Sequence, residues 1–511
     1  MPLGTLGYDA ASHGGSVSTH LNAICFGGGG LVGTAKALGH LVGFDQIVRD
    51  PTRRTELKKS FFDYMAEAGV PLRELEPRLD EVFDRMPAHV RSGRSDYVSQ
   101  YFNVAVGISG GSLLATGLIS GIPLVELVRE SLTFPVNYYF VPDWKEYARG
   151  LRNLPLVPFR VAKLIAHDLR RGQESLSPNA IRRGRRTLPY IRRYSRLTCE
   201  LLASFHDILP RGLFSGDGIV RYVEELSARY GLANSFDTVK EAGRHLFIIT
   251  ERFNASQTLS NPSDLSTTIY FGMPPYDKTP VSHAIRASCS IPGITTPYRF
   301  VDHARDGRTY DLVDGAIGKT IGRRRILGQL PIDLVVTVNP IVPYSGPLEN
   351  VLDNMEQLYR KLIYSRLKAV EAYLDADIKD RTVHLESKPE DFFYNMLRVD
   401  KMREGLFEGY YQTLKYCAEN YVTINDRLRR GGLCLIPRTE IFRLVTKSST
   451  VRERAYILKA QRLERASLRR RLSGALSSAL QGFDSSDGEF QELEEQLVRD
   501  ETEGRLGPGR E

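Results

Sequence analysis

From residue 21 to about 340, short apolar runs alternate with glycine-rich turns and segments of helical period. Ile24, Cys25 and Phe26 form one run, Gly27 to Gly30 follow as a turn, and Leu31 to Leu41 carry apolar residues at helical spacing. The unit recurs at Val104–Val106, with a sharp Gly-framed turn and a helix expected from about Gly111. HLFIITERF (245–253), TTIYFG (267–272) and TYDLVDGAIG (309–318) read as further strands. LPIDLVVTVNP (330–340) is almost continuously apolar, the pattern of a strand buried on both faces of a parallel sheet. Between the strands, helices are expected over Arg53–Ala68, 72–100, Pro123–Leu132 and Leu213–Tyr230. VSHAIRASCSIPG (281–293) adds a small-residue helix stopped by Pro292. After Pro343 the pattern is mostly helical, amphipathic at Leu352–Leu374 and Met402–Tyr421, with VHLES between them as a possible strand. An Arg-rich helical stretch from Ser448 and an acidic, Gly-rich tail close the chain. Strand–glycine–helix alternation of this kind predicts an α/β fold with a mostly parallel sheet.

Composition changes this picture little. At 42% hydrophobic and 25% charged residues, the 511-residue chain is ordinarily globular and long enough for a large core. Its five cysteines (Cys25, Cys199, Cys289, Cys417, Cys434) are scattered and form no CxxC pair. That pattern argues against a disulfide framework or zinc site and fits a reducing compartment. The first residues contain neither a basic n-region nor an apolar h-region, and no apolar run reaches the length of a spanning helix. The expectation is therefore a cytoplasmic protein, without signal peptide or transmembrane helix, that can sit peripherally at a membrane. HGGS at 13–16 follows no strand and reads as part of a loose lead-in, with His13 and His20 not taken as metal ligands.

Charge points to an anionic partner, since the formal net charge is +8. The basic residues concentrate at 138–196, interleaved with Trp144, Leu156, Phe159, Leu164 and Ile165. This segment reads either as a solvated helical insertion or as a face for anionic lipid headgroups. No RNA- or DNA-binding motif accompanies it, so no nucleic acid is expected.

The candidate chemistry lies at the two glycine turns. Gly107–Ile108–Ser109–Gly110–Gly111 is a G-x-S-x-G arrangement, in which a serine stands on a cramped strand-to-helix elbow. The helix N-terminus beside it would stabilise a developing oxyanion, although a Gly-rich turn with an incidental serine has the same pattern. Gly27 to Gly30 can turn several backbone N–H groups toward one point, for a phosphate or for an ester oxyanion. No Lys-Ser/Thr pair follows as in a P-loop, and no acidic ribose partner ends the next strand, so a nucleotide is the weaker guest. No cofactor or metal is expected. An activated serine needs a base, and His384, the only histidine after Asp314, lies in a charged segment without a loop. Asp314, at the end of an apolar strand and before Gly315, supplies the simpler arrangement, a Ser–Asp dyad.

Taken together, Gly27–Gly30 with Gly33, GISGG at 107–111, ASCSIPG at 287–293 and DGA at 314–316 resemble the signatures of patatin-like phospholipases in order and spacing. The resemblance covers roughly residues 20–340. It implies a three-layer α/β/α fold, a Ser109–Asp314 dyad, and hydrolysis of acyl esters in lipids. By the same match, the backbone amides of Gly28, Gly29, Gly30 and Gly110 would form the oxyanion hole. Val32 stands where the family often carries Arg or Lys, which removes electrostatic help but not the backbone donors. The implied organisation is a phospholipase domain over 20–345, with 135–240 as a basic insertion shaping the pocket, and a helical extension over 346–511. The expected partners are a phospholipid or other acyl-ester substrate and an anionic membrane surface. The competing expectation is a catalytically silent lipid-surface scaffold on the same core.

Overall fold

The computed structural model describes residues 20–448 except 53–57, 94–95, 136–140, 146–147, 149–210, 254–266, 304–306, 318–325, 327–328, 345–347, 349–350, 373–375 and 387–397. The lead-in at 13–16, most of the basic segment at 138–196 and the Arg-rich stretch after Ser448 lie outside the described residues. One compact unit runs to Val445 and a second begins at Thr446.

Eight strands form one mixed sheet within the first unit. They are β1 (Asn22–Phe26), β2 (Val104–Ile108), β3 (His245–Arg252), β4 (Thr268–Phe271), β5 (Tyr298–Val301), β6 (Thr309–Asp314), β7 (Leu334–Asn339) and β8 (Thr382–Glu386). The order β8-β7-β1-β2-β3 is parallel throughout, and β4, β6 and β5 add antiparallel pairs at the β3 side. The short apolar runs behave as strands because both of their faces are covered. Ile24, Phe26, Val336 and Val338 enter one core, while Ala23, Cys25, Val104, Val106 and Val335 enter the other.

The helices that matter for the site are α1 (Gly30–Ile47), α2 (Gly110–Ile119), α3 (Leu124–Leu132), α4 (Gly218–Tyr230), α5 (Val281–Ser288), α6 (Val351–Ala372) and α7 (Met402–Glu419). Residues of α1, α2 and α7 pack into the first core, and Ile363 and Leu367 of α6 into the second, so helices flank the sheet on both faces. No helix among the described residues is long and apolar enough to cross a membrane.

Three expectations need correction. The helical stretch at 72–100 is a series of short helices, at Leu72–Glu74, Glu76–Arg78, Leu79–Asp84, Ala88–Arg91 and Tyr97–Tyr101. Pro71, Pro77 and Pro87 interrupt backbone donation there. In 281–300 the helix ends at Ser288, and the chain then forms two short strands, Gly293–Thr295 and β5. The break expected at 345 is also absent from the fold. β8 extends the main sheet beside β7, and Cys434–Leu435 pairs with Val48–Arg49. At the crossing of α1 and α7, a Cβ on Gly39 would overlap the Leu406 carbonyl and one on Gly409 the Lys36 carbonyl. Backbone meets backbone, so the stretch carrying β8 and α7 belongs to the same core as β1.

Candidate active site

The pairing of β3 explains how two residues far apart in sequence become neighbours. One edge of β3 pairs with β4 over Ile248–Glu251. The opposite edge pairs with β2 up to Ile249, opposite Ile108, and then with β6 from Thr250, opposite Asp314. Strands β2 and β6 therefore meet end to end along a single edge. Ser109, the residue after Ile108, falls at that junction beside Asp314.

Ser109 has φ 54° and ψ −136°, the only positive φ at a non-glycine residue among those described. Such a backbone costs on the order of 1–3 kcal/mol and persists only where its surroundings over-determine it. Here they do. The Ser109 N–H donates to Ser288 Oγ (2.8 Å), and the Ser288 hydroxyl donates to the Ile249 carbonyl (2.6 Å). The Ser109 carbonyl accepts from the Ser112 N–H (2.8 Å) and hydroxyl (2.5 Å).

The glycine turn after β1 packs directly on this elbow. A Cβ on Gly28 would lie 2.9 Å from Ser109 Cβ and 3.4 Å from Ala316 Cβ, so only glycine allows the approach. The Gly27 N–H is taken by the Val338 carbonyl (2.9 Å), and the Gly29 carbonyl accepts from Gly33 (2.9 Å). Gly30 and Gly110 open α1 and α2, where first-turn amides lack intrahelical acceptors. Gly28 packs on Ser109, Gly30 and Gly110 line the same cleft as the serine, and Gly29 lies against Gly33 and Pro340. Asn339 ends β7 beside Gly27, and its buried carboxamide has no hydrogen-bond partner among the described residues.

Asp314 is buried, and burial raises its carboxyl to about 6, against the opposing pull of the Ala316 N–H and the Ser109 hydroxyl. The Ala316 N–H lies 2.9 Å from Asp314 Oδ1. The Asp314 N–H donates to the Ser290 carbonyl (2.8 Å), so the 288–290 segment grips both Ser109 and Asp314 through their backbones. Neighbouring Cys289 is no rival nucleophile, because burial and the Asp314 charge push its thiol up to about 12. His384 sits on β8 at the far side of the sheet, hydrogen-bonded to Thr337 (2.7 Å) and separated from β2 by β7 and β1. Among the described residues no three His, Cys, Asp or Glu side chains converge as a metal site would require.

A cleft of about 870 Å³, counted to its open mouth, begins at Gly30, Ser109 and Gly110. Its walls are mostly apolar side chains of α2, α3 and α4. Sequence reasoning missed the clamp made by Ser288 and Ser290, which it read only as small packing residues. It expected a pocket shaped by 135–240, within which α4 lies, but did not single out the cleft walls on α2 and α3, helices that show nothing but amphipathic spacing. In each case the signal lies in tertiary placement. Only the closeness of ASCSIPG to DGA hinted at the clamp.

Residues 94–324 match the model of the patatin-like phospholipase family. The matched stretch includes Ser109 and Asp314 and begins after the Gly27–Gly30 turn. A search of curated proteins returns no match. Among solved structures the chain is similar to VipD from Legionella pneumophila, at 11% identity and a TM-score of 0.29. That similarity covers 78% of this chain and 66% of the other. So loose a superposition adds nothing to the reading of the site.

Proposed function

We propose that this protein, whose residues 94–324 match the patatin-like phospholipase family model, is a serine lipid acyl hydrolase of phospholipase A or lysophospholipase type. The observation that carries the proposal is the junction along β3, with a strained, buried serine against a carboxyl raised to about 6. Asp314 takes the Ser109 proton as Oγ attacks the ester carbonyl, and the resulting alkoxide forms the new C–O bond. Amides of Gly28, Gly29, Gly30 and Gly110 hold the oxyanion, each donor being worth about 2.7–4 kcal/mol of barrier. Collapse of the tetrahedral species expels the alcohol, which takes the proton from Asp314. Water then attacks the acyl-enzyme as it loses a proton to the same carboxylate, and collapse breaks the acyl–Oγ bond, releases the fatty acid and returns that proton from Asp314 to Ser109. An apolar cleft opening at the serine suits an acyl chain, and a net charge of +8 suits an anionic membrane as the surface that presents it.

The test is product analysis on mixed phospholipid vesicles, with wild type beside Ser109→Ala. Fatty acid is expected from wild type alone, with both proteins folded to the same midpoint within about 1 kcal/mol. Hydrolysis by Ser109→Ala at the wild-type rate would remove the dyad from consideration.

A further inference from the structure

The cleft has an end remote from Ser109, and the path of the chain identifies it. On α2, Gly110, Leu113, Leu114 and Gly117 line the cleft at the spacing of one helix face. Ser109 stands at the start of that face, and Gly117 lies about 12 Å further along the axis at about 1.5 Å per residue. Just past Gly117 the helix ends, and the Ile122 N–H folds back onto the Gly117 carbonyl (3.0 Å). The loop after α4 is tied to the same end, since the Ala233 N–H donates to Ser120 Oγ (3.0 Å). Ile122 and Leu232, both buried, therefore line the cleft at the end remote from Ser109. Leu127 of α3 lines it there too. A Cβ on Gly117 would lie 2.6 Å from Leu127 Cδ2, so the glycine leaves room for the leucine branch.

The cleft does not invite a charged ligand along the way. Glu130 is the one charged residue among its described lining, and its carboxylate is engaged by Arg229 (2.6 Å), Tyr230 (2.7 Å) and Tyr222 (3.3 Å). We propose that Leu127, seated against Gly117, ends the acyl cleft and sets the length of acyl chain the enzyme prefers. This rests on the acyl hydrolase reading above. A methylene gains about fourfold in partitioning on entering an apolar pocket, and the same methylene forced against a closed end gains nothing. Trimming Leu127 opens the end to further carbons, whereas enlarging it shortens the usable length.

The experiment compares kcat/KM on p-nitrophenyl octanoate and palmitate for wild type, Leu127→Ala and Leu127→Phe. The palmitate-to-octanoate ratio is expected to rise about tenfold in Leu127→Ala and to fall by a similar factor in Leu127→Phe. Should Leu127→Ala fail to fold, Leu127→Val and Ile122→Ala make smaller cuts at the same end and carry the same expectation. A ratio that stays within about twofold of wild type in every variant that turns over overturns the proposal. Failure of wild type to hydrolyse any ester, or equal hydrolysis by Ser109→Ala, overturns the acyl hydrolase reading beneath it. The two failures are thus told apart by whether wild type works through Ser109.

Discussion

At Ser109 a left-handed backbone is held in place by a hydroxyl from another helix. Ser288→Ala removes the acceptor of a buried N–H while leaving the cleft and both site side chains untouched. Leaving that donor unsatisfied costs about 1–3 kcal/mol. The expected outcome is a lower denaturation midpoint and a fall in kcat with KM nearly unchanged, because the elbow and not the acyl cleft is disturbed. Asp314 makes a second residue-scale prediction. As a base it works only when ionised, so kcat/KM on a fatty-acyl ester should decline below about pH 6. Its effect on folding has the opposite sign to that of a paired surface carboxylate. Between about pH 4 and 6 the folded chain keeps a proton that the unfolded chain has released, so stability falls as pH rises through that window. Above it the full cost of the buried charge remains. Asp314→Asn should therefore melt at a higher temperature than wild type near pH 8, with the gap closing near pH 4.5. Equal melting at both pH values would show that the buried carboxylate carries no such cost.

Among the elements, the crossing of α1 and α7 joins the two ends of the compact unit. Gly39 and Gly43 on α1 face Leu406, Tyr410 and Thr413 of α7, and Gly405 and Gly409 on α7 face Val32, Lys36 and His40 of α1, each glycine pair spaced by one helical turn. Gly409→Ala places a methyl against the Lys36 carbonyl, and overpacking of this kind costs about 1–3 kcal/mol. Chemical denaturation should show a lowered midpoint, and the helix-favouring gain of alanine should not rescue it. The crossing also ties the stretch after 345 to the core of the first unit. Both helices are visible in the sequence by their spacing, but which glycines touch depends on a pairing across hundreds of residues. The strands were easier, since β1, β2, β3 and β7 are short apolar runs bounded by glycine or polar residues. β5 was not, because its residues alternate between half-buried and exposed and follow a proline-broken turn.

For the whole molecule, the glycine turns and the elbow at Ser109 were legible as strand–glycine–helix units, and Asp314 as the end of an apolar strand before Gly315. The clamp at 288–290 and the α2 and α3 walls of the cleft were not legible, since packing alone defines them. The charge balance was legible and still has a use. If an anionic bilayer presents the substrate, binding to vesicles rich in anionic lipid should weaken steeply as salt shortens the Debye length from about 30 Å at 0.01 M to about 8 Å at 0.15 M. Salt-independent binding, read by vesicle sedimentation, would leave the +8 charge without a role at the membrane.

The handover on β3 has a consequence for how such a chain can vary. Serine and carboxylate are registered against one strand by backbone hydrogen bonds, at Ile249 and Thr250. Their separation is measured in strand positions and owes nothing to the length of chain that runs between them. Apart from the Ser109 turn and the 288–290 clamp, chain spliced between β2 and β3, or between β3 and β6, can lengthen, shorten or change its chemistry while Ser109 and Asp314 stay in register. Substrate choice and reactive geometry are in this way inherited separately, the first free to drift and the second fixed by two adjacent rungs of a ladder.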